Sequence, residues 1–243
     1  FILRMNNRRP PFDNLDARLC FAYAFNYQGF NEIILKGLVI RNAGPNPNNL
    51  WGNPPDLRPY NFDLNLARQH CDRARAAGAP LGREIEIHVQ TELEQTVQAA
   101  QMFQADLRRV GVNLKIVPNT WAGITSSTTR AETTPDMWVH WVSTYFVDPE
   151  NWIGQMYDSR FHGTWKASSW YRNERVDEAL EVIRQLFRQL RSEGPSKEQL
   201  DAAKRNITGS FPLSLDSNSD IVAQLSAIGF YRLPLDYLDN YPL

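Results

Sequence analysis

The sequence predicts an α/β lobe followed by a mainly helical segment. Three observations carry this. Ile85, Ile87 and Val89 alternate with Glu84, Glu86 and His88 from Arg83 to Val89, the pattern of a half-buried strand. From Glu92 to Val110 the apolar residues Leu93, Val97, Ala100, Met102 or Phe103, Leu107 and Val110 recur at steps of three and four, the pattern of an amphipathic helix. A strand over 113–118 and an apolar, aromatic run from Met137 to Val142 then complete a strand–helix–strand–short helix–strand series. Such a series builds an α/β unit with a right-handed crossover.

Taken in order, residues 1–5 read as a short strand, followed by a turn at Pro10-Pro11. Asp13 or Asn14 can cap a helix that runs to about Tyr27, with Leu15, Leu19, Ala22 and Phe25 or Asn26 on one face. A short helix over about 30–35 ends at Gly37. The stretch 41–61 is a long Pro-rich loop with Gly44, Gly52 and an internal aromatic, Trp51. A loop of that length is either functional or an ordered brace. Asp63 caps the next helix, which Gly78 ends. Gly111 stops the amphipathic helix, and 121–130 reads as a short helix. Val176, Leu180, Ile183, Phe187 and Leu190 give a further helix, ended by Gly194. Ser196-x-x-Gln199 is a capping box for another.

Composition sets outer limits. The 243 residues allow one large or two small domains, and 42% hydrophobic with 22% charged residues are ordinary globular values. The net charge of −1 weighs against a nucleic-acid partner. No run of 18 apolar residues occurs, so no transmembrane helix is expected. The start lacks the apolar core of a signal peptide and an initiator Met, so the chain reads as a mature product or a fragment. Cys20 and Cys71 lie among apolar neighbours in helical stretches; buried free thiols are the plain reading, and a single disulfide is the alternative. His70, His88, His140 and His162 are far apart, without the i, i+4 pair of a helical zinc site, and there is no Cys-x-x-Cys. Neither a metal nor a cofactor is expected.

The most informative stretch is 136–152, with Trp138, Trp141, Trp152 and Tyr145 in 17 residues. It begins as a strand, turns polar from Ser143 to Asp148, and opens a short helix at Asp148-Pro149-Glu150. It reads equally as a buried aromatic strand with a capped exit or as the wall of a ligand cleft. In open α/β sheets ligands sit beyond the carboxyl ends of the strands, where Ser143 to Asp148 falls.

Several segments in order resemble one family. They are Asn6-x-x-Arg9-Pro10-Pro11-Phe12-Asp13, Ala17-Arg18-x-x-x-x-Tyr23-Ala24-Phe25, Gly44-Pro45 through Leu50-Trp51-Gly52, Tyr60-x-x-Asp63-x-x-x-Ala67, Trp141 through Asp148-Pro149-Glu150-Asn151, and Ser169-x-Tyr171-x-Asn173-x-x-Val176-Asp177. Residues 4–177 resemble the second lobe of an ABC-transporter solute-binding protein of the peptide-, nickel- and oligosaccharide-binding class. The resemblance implies a periplasmic-binding-protein-like lobe, with a mixed sheet flanked by helices, over 1–177. It implies a bacterial, extracytoplasmic (periplasmic) binder that performs no catalysis. It also implies a first lobe of the same protein before residue 1, a peptide- or oligosaccharide-like solute, and an ABC permease as partner. The ligand contacts it implies are Trp141, Ser143, Thr144 and Tyr145, with Trp138, Asp148 and Trp51 beside them. Peptide binders of this family commonly carry an Asp three residues after the Trp; here that position is Thr144, which cannot pair with a peptide amine.

The last quarter departs from this pattern. Ala203 through Ser219 and Ile228 through Leu238 resemble the C-terminal domain of the mitochondrial-processing-peptidase-like zinc peptidases. That implies a helical segment over 178–243 and, as the alternative function, a non-catalytic subunit or fragment of such an assembly. The His-x-x-Glu-His motif of those enzymes is not in the sequence. A third reading is a structural α/β fragment with no site of its own.

Overall fold

The computed structural model describes residues 2–54, 56–145, 147–210, 217–234 and 236–237. Strand β1 (Ile2–Met5) leads to helices α1 (Leu15–Ala24) and α2 (Tyr27–Gly29) and a π turn, Phe30–Ile34. After the Pro-rich loop come α3 (Leu64–Ala76), β2 (Ile85–Gln90), α4 (Glu94–Arg108), β3 (Leu114–Asn119), α5 (Trp121–Ser127) and β4 (Met137–His140). A 3-10 turn (Pro149–Asn151), α6 (Gly154–Tyr157) and a second 3-10 turn (Ser159–Phe161) precede the long helix α7 (Glu174–Glu193). Helices α8 (Lys197–Ser210) and α9 (Asn218–Tyr231) follow.

The strands form one mixed sheet in the order β1-β4-β2-β3. β2 is parallel to both neighbours, pairing Ile85 with Leu114 and His88 with Trp138; β1 runs antiparallel to β4, pairing Arg4 with Trp138. Side chains alternate between the two faces of a strand. Ile85, Ile87, Val89, Leu114, Met137 and Val139 face a core shared with α1, α3 and α4. Phe21 and Phe103 meet there edge to face at 5.9 Å, and Phe12 packs on Phe21 at 4.8 Å.

The helix ends follow local chemistry. Asn14 caps α1 by accepting from Ala17 N at 3.0 Å, and Asp63 caps α3 by accepting from Asn65 N and Leu66 N. Gly78 takes a φ of +83° just past α3, a conformation that costs glycine little. Helices α1 and α3 pack through Ala17, Cys20, Phe21, Ala24, Ala67, Cys71 and Ala74; the alanines and cysteines are small and let the backbones approach. Cys20 and Cys71 are joined in a disulfide with Cα atoms 5.1 Å apart. The free-thiol expectation is therefore corrected: side-by-side helix packing brings together cysteines that are 51 residues apart in sequence.

At the amino end of β4, buried Asp136 accepts two hydrogen bonds of 2.7 Å from Arg83 and one of 3.1 Å from Glu86 N. This clamp fixes the start of β4 against β2.

The chain folds as two compact units, 1–181 and 182–243. In the second unit the capping box forms as its sequence predicts. Ser196 N donates to Gln199 Oε1 at 2.9 Å, and Gln199 N donates to Ser196 Oγ at 3.2 Å. Ser217 caps α9 through Asp220 N. Residues 211–216, 235 and 238–242 of the peptidase-like stretch lie outside the described residues.

Candidate functional site

Three parallel strands, β2, β3 and β4, end at Gln90, Asn119 and His140, and the site is built beyond those ends. After His140 the chain leaves the sheet. Trp141 is half-buried, while Ser143, Thr144 and Tyr145 are exposed, Tyr145 by 62%. Asp148 closes the loop by accepting from Glu150 N at 2.9 Å, with Pro149 at the first turn position. Buried Asn151 donates to the Ser143 carbonyl at 3.0 Å, tying the far side of the turn back to the exposed hydroxyls.

The Pro-rich loop reaches the same place. A Cβ on Gly52 would lie 3.9 Å from Pro149 Cγ, so the loop rests against the Asp148-Pro149 turn. Asparagines brace it from within. Asn46 donates to the Trp51 carbonyl at 3.1 Å, and Asn53 donates to the carbonyls of Pro47 and Leu50. Trp51 stands 65% exposed on this braced loop. The structure thus brings Trp51, Ser143, Thr144, Tyr145 and Asp148 to one edge, although some 90 residues of sequence separate the two loops.

Trp138 requires a correction as a ligand contact. It has no exposed surface. Strand β4 is buried at all four positions, because its second face is covered as completely as its first. The cover is the segment 149–170. Arg4, on that face, donates to the Lys166 carbonyl, to Ser168 Oγ at 2.8 Å and to Met156 Sδ. Asp148, for its part, serves as the cap of the 3-10 turn.

Two aromatic residues of the edge escaped the sequence reading. Trp121, two residues beyond β3, lies 5.3 Å from the His140 ring and 5.8 Å from Trp165. The His140 ring stacks on Trp165 at 5.5 Å. The strand-end rule that picked out Ser143 applies equally to Trp121 after β3, so that residue had a signal. Trp165 sits in an irregular stretch with none.

His140 is 1% exposed. Burial, with Arg4 adding to it, pushes its pKa down to about 2, so the ring is neutral. His140 Nε2, Gln90 Oε1, Trp138 Nε1 and Asn151 Oδ1 are buried without a hydrogen-bond partner among the described residues. Among those residues no group of three His, Cys, Asp or Glu could hold a metal ion, and no helix is long and apolar enough to cross a membrane. A separate cavity of about 210 Å³ opens beside β1, lined by Ile2, Leu3, Asn7, Arg18, Tyr157 and Tyr171 among others.

The family model for the bacterial extracellular solute-binding proteins, family 5, middle region, matches residues 1–163. The chain belongs to this family. Curated relatives include a probable D,D-dipeptide-binding periplasmic protein, DdpA, of Escherichia coli K12, 24% identical over 179 residues. That match covers 73% of this chain and 33% of the relative. The dipeptide-binding protein of the same organism is 28% identical over 123 residues, covering 49% of this chain and 22% of the relative. The chain therefore spans about a third or less of the length of these curated relatives.

Among solved structures, DppA of Helicobacter pylori, in complex with peptide STSA, superposes with a TM-score of 0.66 at 22% identity. It covers 81% of this chain and 36% of that one. A dipeptide-binding protein from Pseudoalteromonas sp. SM9913, in complex with Met-Leu, gives 0.66 at 22% identity, covering 86% and 40%. These likenesses establish the expected fold, a mixed sheet flanked by helices of the periplasmic-binding-protein kind. These relatives and structures are binding proteins, and they lend no support to the processing-peptidase resemblance of 178–242.

Proposed function

We propose that this chain is the ligand-binding lobe of an extracytoplasmic solute-binding protein that delivers a peptide- or oligosaccharide-like solute to an ABC importer. One observation carries the reading. A family-5 chain presents exposed Tyr145, Ser143 and Thr144, with Trp51, beyond the carboxyl ends of its parallel strands. Aromatic faces hold apolar groups or sugar rings, and neighbouring hydroxyls and carbonyls supply directional hydrogen bonds. The neutral Thr144 lacks the charge that would hold a peptide amine, which directs the solute away from a plain dipeptide bound by its amino end. No catalysis is assigned. A further lobe of the same protein supplies the facing wall, and an ABC permease receives the solute. The buried Cys20–Cys71 disulfide supports an oxidising, extracytoplasmic location.

The reading is tested on the complete natural protein that carries this chain. Thermal unfolding is followed with a panel of di- to pentapeptides and of neutral and acidic oligosaccharides. At least one class should raise the transition temperature in a concentration-dependent way; at a hundredfold excess over Kd the stabilisation is about 2.7 kcal/mol. A flat response across the whole panel contradicts the proposal.

A further inference from the structure

Among the described residues, the cation set beside the aromatics Tyr145 and Trp165 is a lysine. Lys166 Nζ lies 5.0 Å from the ring centroid of Tyr145 and 5.7 Å from that of Trp165. It donates to Gln155 Oε1, a neutral acceptor. Among the described residues no carboxylate lies within ion-pair distance of it. Glu150 senses it only at longer range, and burial, with Asp158 and Asp148, dominates the upward shift of the Glu150 carboxyl. Asp158 is itself paired with Arg160.

This lysine is held firmly for a partly exposed side chain. Its carbonyl accepts from Arg4, which is only 6% exposed, and Arg4 also holds Ser168 two residues on. A free lysine loses rotamer freedom when it is fixed. Here much of that loss is met in folding, because the backbone, the stem and one N–H are already placed. An ammonium has three donors and Gln155 takes one, so two remain for a ligand.

We propose that Lys166 is the charged contact of the solute site, and that the solute presents a carboxylate to the Tyr145–Trp165 shelf. This rests on the solute-binding reading above and adds the polarity of the ligand to it. The carboxylate can come from the end of a peptide or from a sugar acid, and the two sources are separable.

The test is a titration of the complete natural protein that carries this chain, followed by ¹H–¹⁵N chemical shifts at low ionic strength. The probes are N-acetyl-Ala-Ala, its C-terminal amide, digalacturonate and maltose. The acid of at least one pair should bind about fivefold more tightly than its neutral counterpart, the scale of an exposed ion pair. Which pair shows the preference names the source. Lys166→Gln should erase the preference, and Lys166→Arg, which keeps the charge, should retain it. Equal binding of acid and neutral forms, or a preference that survives Lys166→Gln, overturns the inference and leaves the solute-binding reading standing. If none of the four probes moves a resonance at Ser143 to Tyr145, the inference falls, while the solute-binding reading stands or falls on the thermal-unfolding panel.

Discussion

Removing the Cys20–Cys71 disulfide is expected to cost about 4 kcal/mol of stability, the largest single effect anticipated for this chain. Closing a loop of 51 residues removes entropy from the unfolded ensemble, and loops of that length correspond to about 4 kcal/mol. The bridge also sits in the contact between α1 and α3, where both cysteines are fully buried. Cys20→Ser with Cys71→Ser, or full reduction, should lower the urea midpoint strongly while leaving the sheet's circular dichroism intact before the transition. The loop closed by the bridge contains the Pro-rich stretch 41–61, so the double variant should also loosen Trp51. Amide exchange over 46–53 reads that directly. A midpoint unchanged within error would show that the bridge adds nothing to stability.

The second large effect is acid sensitivity through His140. Its folded-state pKa is pushed down to about 2, chiefly by burial, whereas an unfolded histidine titrates near 6.5. The stabilising difference is therefore fully present above about 6.5. As pH falls below that value the unfolded chain takes up a proton that the folded chain refuses. Stability then drops by about 1.4 kcal/mol per pH unit from this group alone. His88, also lowered by burial, adds in the same direction, and Asp16, held down by His70 and Arg73, adds lower in the range. Comparison with His140→Gln isolates the single group. The wild-type curve should fall away from the variant's curve between about pH 6.5 and 4.5. Parallel curves would mean that His140 is protonated in the folded state.

Much of the chain is legible because its signals are local. The caps at Asn14 and Asp63, the stop at Gly78 and the Ser196–Gln199 box depend on residues within one turn of each other. What escaped was long-range or two-sided. The Cys20–Cys71 pairing depends on how two helices lie side by side, which no local spacing states. Trp138 was placed at the ligand because a dense aromatic strand resembles a cleft wall. Yet Met137 through His140 show no apolar–polar alternation, and a strand without alternation is covered on both faces. The covering segment, 149–170, is irregular, so nothing periodic announced it, and with it went Trp165 and Lys166. Ser143, Thr144 and Tyr145 were read from the strand-end rule and do lie at the open edge. Trp51 was carried only by the family resemblance, and the approach of its loop to Pro149 became visible only with the loop folded.

The central claim is that solute meets this chain at the edge formed by Ser143 to Tyr145, Asp148 and Leu50 to Asn53. Amide hydrogen exchange on the complete protein, with and without the solute that stabilises it most, tests that claim directly. Protection should appear at Ser143 to Tyr145 and at Leu50 to Asn53, with the β1 cavity unchanged. Protection confined to the β1 cavity, around Asn7, Arg18, Tyr157 and Tyr171, with Ser143 to Tyr145 unaffected, would contradict it.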